Sequence, residues 1–141
     1  MKKVVGIVLL LLAGVYLLAR LVPLEPVETR PGLSLSGTPA DGIPEVWTGM
    51  QQVMLETRPW YGIRHSITVV PWNDGERLYI PCRECANKRW PRNVMADPRV
   101  RVKIGDSVYE RTMQRLDDET FKAQLTGHDM PPATWLWVLA E

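Results

Sequence analysis

Catalytic signatures are what this chain of 141 residues lacks most. It carries no Gly-x-Ser-x-Gly, no phosphate-binding loop and no His-Glu-x-x-His, so hydrolase and nucleoside-triphosphatase readings have no motif behind them. Histidine is confined to His65 and His128 and cysteine to Cys82 and Cys85, at spacings unlike any common zinc site, so no metal is expected. A charge excess is missing as well. Beyond Val22, fourteen Lys and Arg stand against sixteen Asp and Glu, which leaves no basic field for a nucleic acid. No internal repeat is visible, and the N-terminus holds neither a lipobox cysteine nor a twin arginine.

What is present begins with sixteen consecutive uncharged residues, Val4 to Ala19, flanked by Lys2, Lys3 and Arg20. As a helix this run is about 24 Å long at ~1.5 Å per residue. With Leu21 and Val22 added, and Arg20 snorkelling to the headgroups, it approaches a hydrocarbon core of ~30 Å. A cleaved secretory signal is the competing reading, but cleavage after Ala19 needs a small residue where Leu17 stands. The residues favour an uncleaved single span over 1–22. Lys2, Lys3 and the terminal amine favour a cytoplasmic N-terminus, which puts the remainder on the periplasmic or extracellular side of the inner or plasma membrane.

From 23 to 43 the chain carries Pro23, Pro26, Pro31 and Pro39 with Gly32, Gly37 and Gly42, a composition that interrupts helix and sheet and predicts a linker. The domain expected over 44–141 is large enough for one core. Its first element is predicted as a helix from Pro44 to Thr57, with Val46, Trp47, Met50, Val53 and Met54 on one stripe for the core and Arg58-Pro59 as its stop.

After Tyr61 the period changes to two. Ser66 to Val70 is rich in β-branched residues, Asn73-Asp74-Gly75 is a hairpin signal, and Arg77 to Ile80 reads as the returning strand. Arg99 to Ile104 alternates strictly, with Val100, Val102 and Ile104 on one face and Arg99, Arg101 and Lys103 on the other. Those cations are expected to face solvent or to pair with Glu76, Glu84 or Glu110. Gly105-Asp106 fits a two-residue turn into a partner strand from Ser107 to about Gln114. Ala86 to Ala96, closed by Asp97-Pro98, predicts a short helix or loop across a barrel end. Asp117 or Asp118 suits the cap of a helical turn holding Phe121 and Leu125, and Trp135 to Leu139 suits a last buried strand.

In that order, Asp74-Gly75-Glu76-Arg77-Leu78-Tyr79-Ile80, Trp90-Pro91-Arg92-Asn93-Val94-Met95-Ala96-Asp97-Pro98-Arg99-Val100 and Val102-Lys103-Ile104-Gly105-Asp106 resemble the deazaflavin-dependent nitroreductase family. That family belongs to the FMN-binding split β-barrels related to pyridoxamine phosphate oxidase, and the likeness runs from about Gly62 to Leu116. It implies an α+β split β-barrel of about six mostly antiparallel strands with short helices, here preceded by one transmembrane helix. It also implies a homodimer, because the family's groove is completed across two subunits. FMN or a deazaflavin coenzyme is the implied cofactor, held by Arg64, His65, Cys82, Arg83, Lys88, Trp90 and Asn93. Independently, Arg83, Lys88 and Arg89 supply the cations that a phosphate needs at a strand-to-helix turn.

One departure falls in the loop that carries a Gly-Gly pair in the family, which here reads Cys82-Arg83-Glu84-Cys85-Ala86. A Cys-x-x-Cys at a helix start can be a structural disulfide, a redox-active dithiol or part of a metal site. Two functions follow as expectations. One is an anchored oxidoreductase that passes hydride to a quinone-like or other lipophilic acceptor near the bilayer, with the cofactor supplying the chemistry. The other is a non-enzymatic envelope module for ligand or protein binding that kept the barrel and lost the cofactor.

Overall fold

The computed structural model describes residues 2–42, 52–73, 77–117 and 134–140. The apolar run is helix α1, Lys2–Leu21, with no residue buried in the protein. It is long and apolar enough to cross a membrane by length and composition. Strands follow: β1 (Thr38–Ala40), β2 (Val53–Thr57), β3 (His65–Val69), β4 (Trp72–Asn73) and β5 (Leu78–Arg83). After a 3-10 turn (Cys85–Asn87) come α2 (Arg89–Ala96), β6 (Arg99–Ile104), β7 (Ser107–Leu116) and β8 (Thr134–Ala140).

The hydrogen-bonded order is β3-β2-β6-β7-β8-β5-β4, antiparallel throughout, with β1 added in parallel beside β7. β3 and β4 sit at opposite ends of this order, yet only Val70 and Pro71 separate them in the chain. Three Cα steps reach about 11 Å, whereas seven flat strands at ~4.8 Å spacing would hold those edges nearly 30 Å apart. The sheet must therefore curl, and its six longer strands form a split β-barrel.

Alternation decides what fills it. Val100 and Val102 of β6 face inward opposite Leu55 of β2, and Leu78, Ile80 and Cys82 of β5 join them with Met113, Trp137 and Leu139. α2 closes one end, burying Trp90 and Val94, with the Trp90 ring 5.6 Å from that of Trp137. Pro91 is tolerated because it stands in the helix's first turn, where amides lack intrahelical partners. Pro98 forces Asp97 into extended backbone and ends the helix. A side-chain hydrogen bond from Arg99 then holds the Asp97 carboxyl at about 2.

Gly105-Asp106 makes the expected turn between β6 and β7, with Gly105 at φ +58, and the last strand is buried as expected. Three expectations are corrected. Val53–Thr57 is a strand rather than the end of a helix, because β3 and β6 take its backbone groups on both sides. Its adjacent apolar residues Val53 and Met54 satisfy either period, so the stripe misled; Trp47 and Met50 lie outside the described residues. Ser66–Val69 pairs with β2, and the strand returning at Leu78 pairs instead with the short β4. The turn at Asp74-Gly75 and the helical turn at Phe121 and Leu125 lie outside the described residues.

The third correction concerns the cations of β6. Arg99 faces solvent as expected, beside Asp97, whereas Arg101 pairs with Glu56 and Lys103 with Glu25, neither of them an expected partner. The reason is a strap. Residues 23–40 do not hang free but fold over the outer face of β2 and β6, bridging Pro23 to Ser34 and Gly32 to Ser66 before β1 docks on β7. Gly32 is required there, since a Cβ would lie 2.3 Å from the Leu24 carbonyl oxygen. Beneath the strap Glu56 is 1 % exposed. Its Oε2 accepts from Arg101 Nη1 at 2.9 Å and from the Leu35 amide at 2.8 Å, and Arg101 also donates to the Leu35 carbonyl at 3.3 Å.

Removing one member of a buried, hydrogen-bonded ion pair costs about 3–5 kcal/mol because the other charge is stranded. Glu56→Ala is therefore expected to lower the unfolding free energy by that order, with Glu56→Gln losing less because its oxygen still accepts from Leu35. Chemical denaturation of the detergent-solubilised chain, followed by tryptophan fluorescence, measures both losses.

Candidate functional site

β2 and β3 end side by side at the barrel mouth that α2 covers, which brings Thr57 opposite His65 on the inner face. Thr57 Oγ1 donates to the His65 carbonyl at 3.1 Å and accepts from Asn93 Nδ2 at 2.9 Å. Asn93 thus fastens the helix to the strand pair. His65 is 9 % exposed, and its Nδ1 has no hydrogen-bond partner among the described residues. Burial, and then the neighbouring charge of Arg89, push the His65 pKa below its ordinary 6.5, so the imidazole is neutral at pH 7.

Around this mouth the turn from β5 into α2 exposes Arg83, Lys88 and Arg89. The amides of Asn87 and Lys88 are spent on the Glu84 and Cys85 carbonyls. Those of the first turn of α2, from Arg89 onward, have no intrahelical partner and lie beside the cations. The turn thus presents three cationic side chains beside the first-turn amides, and the charge of Arg89 reaches His65.

The residues singled out from sequence therefore separate into three groups. His65 and Asn93 come together, with Lys88 and Arg83 on the adjoining turn. Arg64 points the other way: its Nε lies 3.7 Å from Glu56 Oε1, and burial together with the charge of Arg58 lowers its pKa. It belongs to the strap's ion cluster. Trp90 and Cys82 are buried in the core and offer a ligand little surface. Sequence reasoning missed Thr57 and Glu56, since a stretch assigned to a helix gives no reason to place one inside the barrel and the other outside. Their signal was the alternation of Val53, Leu55 and Thr57 itself.

Cys82 and Cys85 form a disulfide with their Cα atoms 5.6 Å apart, both residues no more than 2 % exposed. Between them Glu84 adopts φ +51, a left-handed conformation costing a non-glycine residue about 1 kcal/mol. The bridge thus closes the turn that leads out of β5. Among the described residues no cluster of His, Cys, Asp and Glu could hold a metal ion. An open groove of about 420 Å³ lies at the other end of β2 and β3, lined by Val53, Met54, Thr68 and Lys103, and is separate from the histidine site.

No protein-family model matches the chain, and no curated protein matches it in sequence. Solved structures do match. General stress protein 26 from Bacillus anthracis strain Sterne aligns with a TM-score of 0.55 at 17 % identity, over 67 % of this chain and 82 % of its own. A Listeria innocua protein provisionally assigned as a pyridoxamine 5'-phosphate oxidase aligns at 0.54 and 19 %, over 64 % and 82 % respectively. At those identities the likeness shows the fold, a split β-barrel of the pyridoxamine 5'-phosphate oxidase type.

Two outcomes are expected. Because the folded state holds His65 with a lowered pKa, the unfolded chain binds more protons as pH falls below about 6.5, and stability drops over that interval down to the folded pKa. His65→Gln should remove this part of the pH dependence in melts recorded from pH 7.5 to 5. The native chain should also show no titratable thiol, and reductant alone should expose Cys82 and Cys85 slowly until denaturant is added, as followed by alkylation and mass spectrometry.

Proposed function

We propose that the α2 mouth of this split barrel binds a phosphate-bearing flavin-type cofactor, FMN or a deazaflavin coenzyme, in a protein tethered to the membrane by α1. The observation that carries the reading is the buried, unpartnered Nδ1 of His65 beneath a cationic helix start. A buried nitrogen without a partner costs free energy unless something supplies one. Lys88, Arg89 and Arg83 would hold the phosphate with the first-turn amides of α2. His65 would meet a polar edge of the ring system, with Asn93 and Thr57 keeping the helix in register. When bound, such a cofactor supplies hydride chemistry; the chain contributes orientation and exclusion of water.

The same reading divides the chain into an uncleaved span over 1–22, a Pro/Gly-rich linker over 23–43 and a barrel domain over 44–141. The barrel would face the periplasm or cell exterior, pair with a second copy and act on a quinone-like or other lipophilic acceptor. A second reading has its own support. Cys82 and Trp90, which the resembled family would turn toward a cofactor, are committed to the core here, as in a barrel retained for ligand or protein binding without redox chemistry.

Titrating the full chain in detergent with FMN and with deazaflavin coenzyme, by absorbance and fluorescence, separates the two. Saturable binding is expected, weakened about tenfold or more by Lys88→Ala and by Arg89→Ala, the loss of one charge-assisted contact each. No saturable binding of either compound would overturn the cofactor reading and leave the second.

A further inference from the structure

α1 is twenty residues long, about 30 Å at ~1.5 Å per residue, and a bilayer's hydrocarbon core is itself ~30 Å thick. The helix has no length to spare. Yet the barrel touches it before it ends. The Tyr16 hydroxyl donates to the Tyr61 carbonyl at 2.8 Å. A Cβ built on Gly62 would lie 3.1 Å from Tyr16 Oη and 3.7 Å from the Arg20 guanidinium carbon. The loop between β2 and β3 thus sits beside the last turns of α1, inside the stretch needed to cross.

At the tip of that loop Trp60 is 93 % exposed, with Tyr61 edge-on to it at 5.7 Å. Buried Pro59 and Gly62, at φ +81, hold the loop's two ends. In water this is an unfavourable way to present an indole. At the boundary between acyl chains and headgroups it is the favoured one, because the ring is apolar and its N–H stays wet. Tyr16 and Arg20 offer the same amphipathic chemistry at the same level.

We propose that the Pro59–Gly62 loop is a second membrane contact, with Trp60 seated in the lipid interface so that the barrel rests on the bilayer. This rests on the reading of α1 as an uncleaved span. Its continuity with that span selects a lipid surface as the occupant. It also orients the domain. Thr57 and His65 flank the loop, and Asn93 of α2 binds Thr57, so the histidine mouth lies at the membrane-facing end. The Gly105-Asp106 turn lies at the opposite end of β6. Any substrate reaching the mouth would arrive along the bilayer, which points to a lipophilic class.

The test is nitroxide labelling of the full chain in phosphatidylcholine/phosphatidylglycerol nanodiscs. Leu10→Cys, Trp60→Cys and Asp106→Cys are labelled one at a time, each position being exposed and the native cysteines already bonded to each other. Power saturation with oxygen and with a water-soluble nickel chelate then reports depth. A deep label at 10, an oxygen-to-nickel accessibility ratio at 60 several-fold above that at 106, and a water-exposed label at 106 are expected. A label at 60 as nickel-accessible as that at 106, with 10 deep, would overturn the interfacial contact and leave the span standing. A water-exposed label at 10 would overturn the span and the contact together.

Discussion

The carboxylate of Glu56 is the constraint on which the rest of the structure turns. It lies on the outer face of β2, where an antiparallel strand would ordinarily meet water, and it is buried because the strap crosses over it. One oxygen joins three elements: the strand that carries it, β6 through Arg101, and the strap through the Leu35 amide. Burying a charge is costly without such satisfaction, so the strap, the sheet and the ion pair have to form together. Lys103 with Glu25 repeats the device further along β6, near the surface.

The barrel's interior follows different physics. Inner positions of β2, β5 and β6 are mostly apolar, and at the mouth Thr57 links the His65 backbone carbonyl to the Asn93 side chain while His65 Nδ1 has no partner among the described residues. The position of these polar groups is fixed by two strands and a helix, which hold them to one geometry.

Much of this was readable before any coordinates. The hairpin of Arg99 to about Gln114, the short helix or loop of Ala86 to Ala96 and the final strand rest on short-range alternation and on proline punctuation, which local physics makes strong. Val53 to Thr57 was misread because two adjacent apolar residues fit both periods, and only the neighbours supplied by β3 and β6 choose between them. The strap was misread for the converse reason. Its prolines and glycines exclude regular elements, but they do not exclude packing, and Gly32 serves close approach rather than flexibility. At the mouth, His65 and Asn93 stand among the residues that the sequence singles out while Thr57 does not, because a threonine announces nothing until its strand and register are known.

The distance along the chain between the strap and its fastening has a kinetic meaning. Leu35 emerges from the ribosome 66 residues before Arg101, the side chain that clasps it. Contacts so remote in order of synthesis carry a loop-closure cost that must be met before they give anything back, which slows folding. Until β6 arrives, the strap can lie only on β2 and β3, and Glu56 lacks its Arg101 partner. The clasp over Glu56 therefore closes only after β6 has been made.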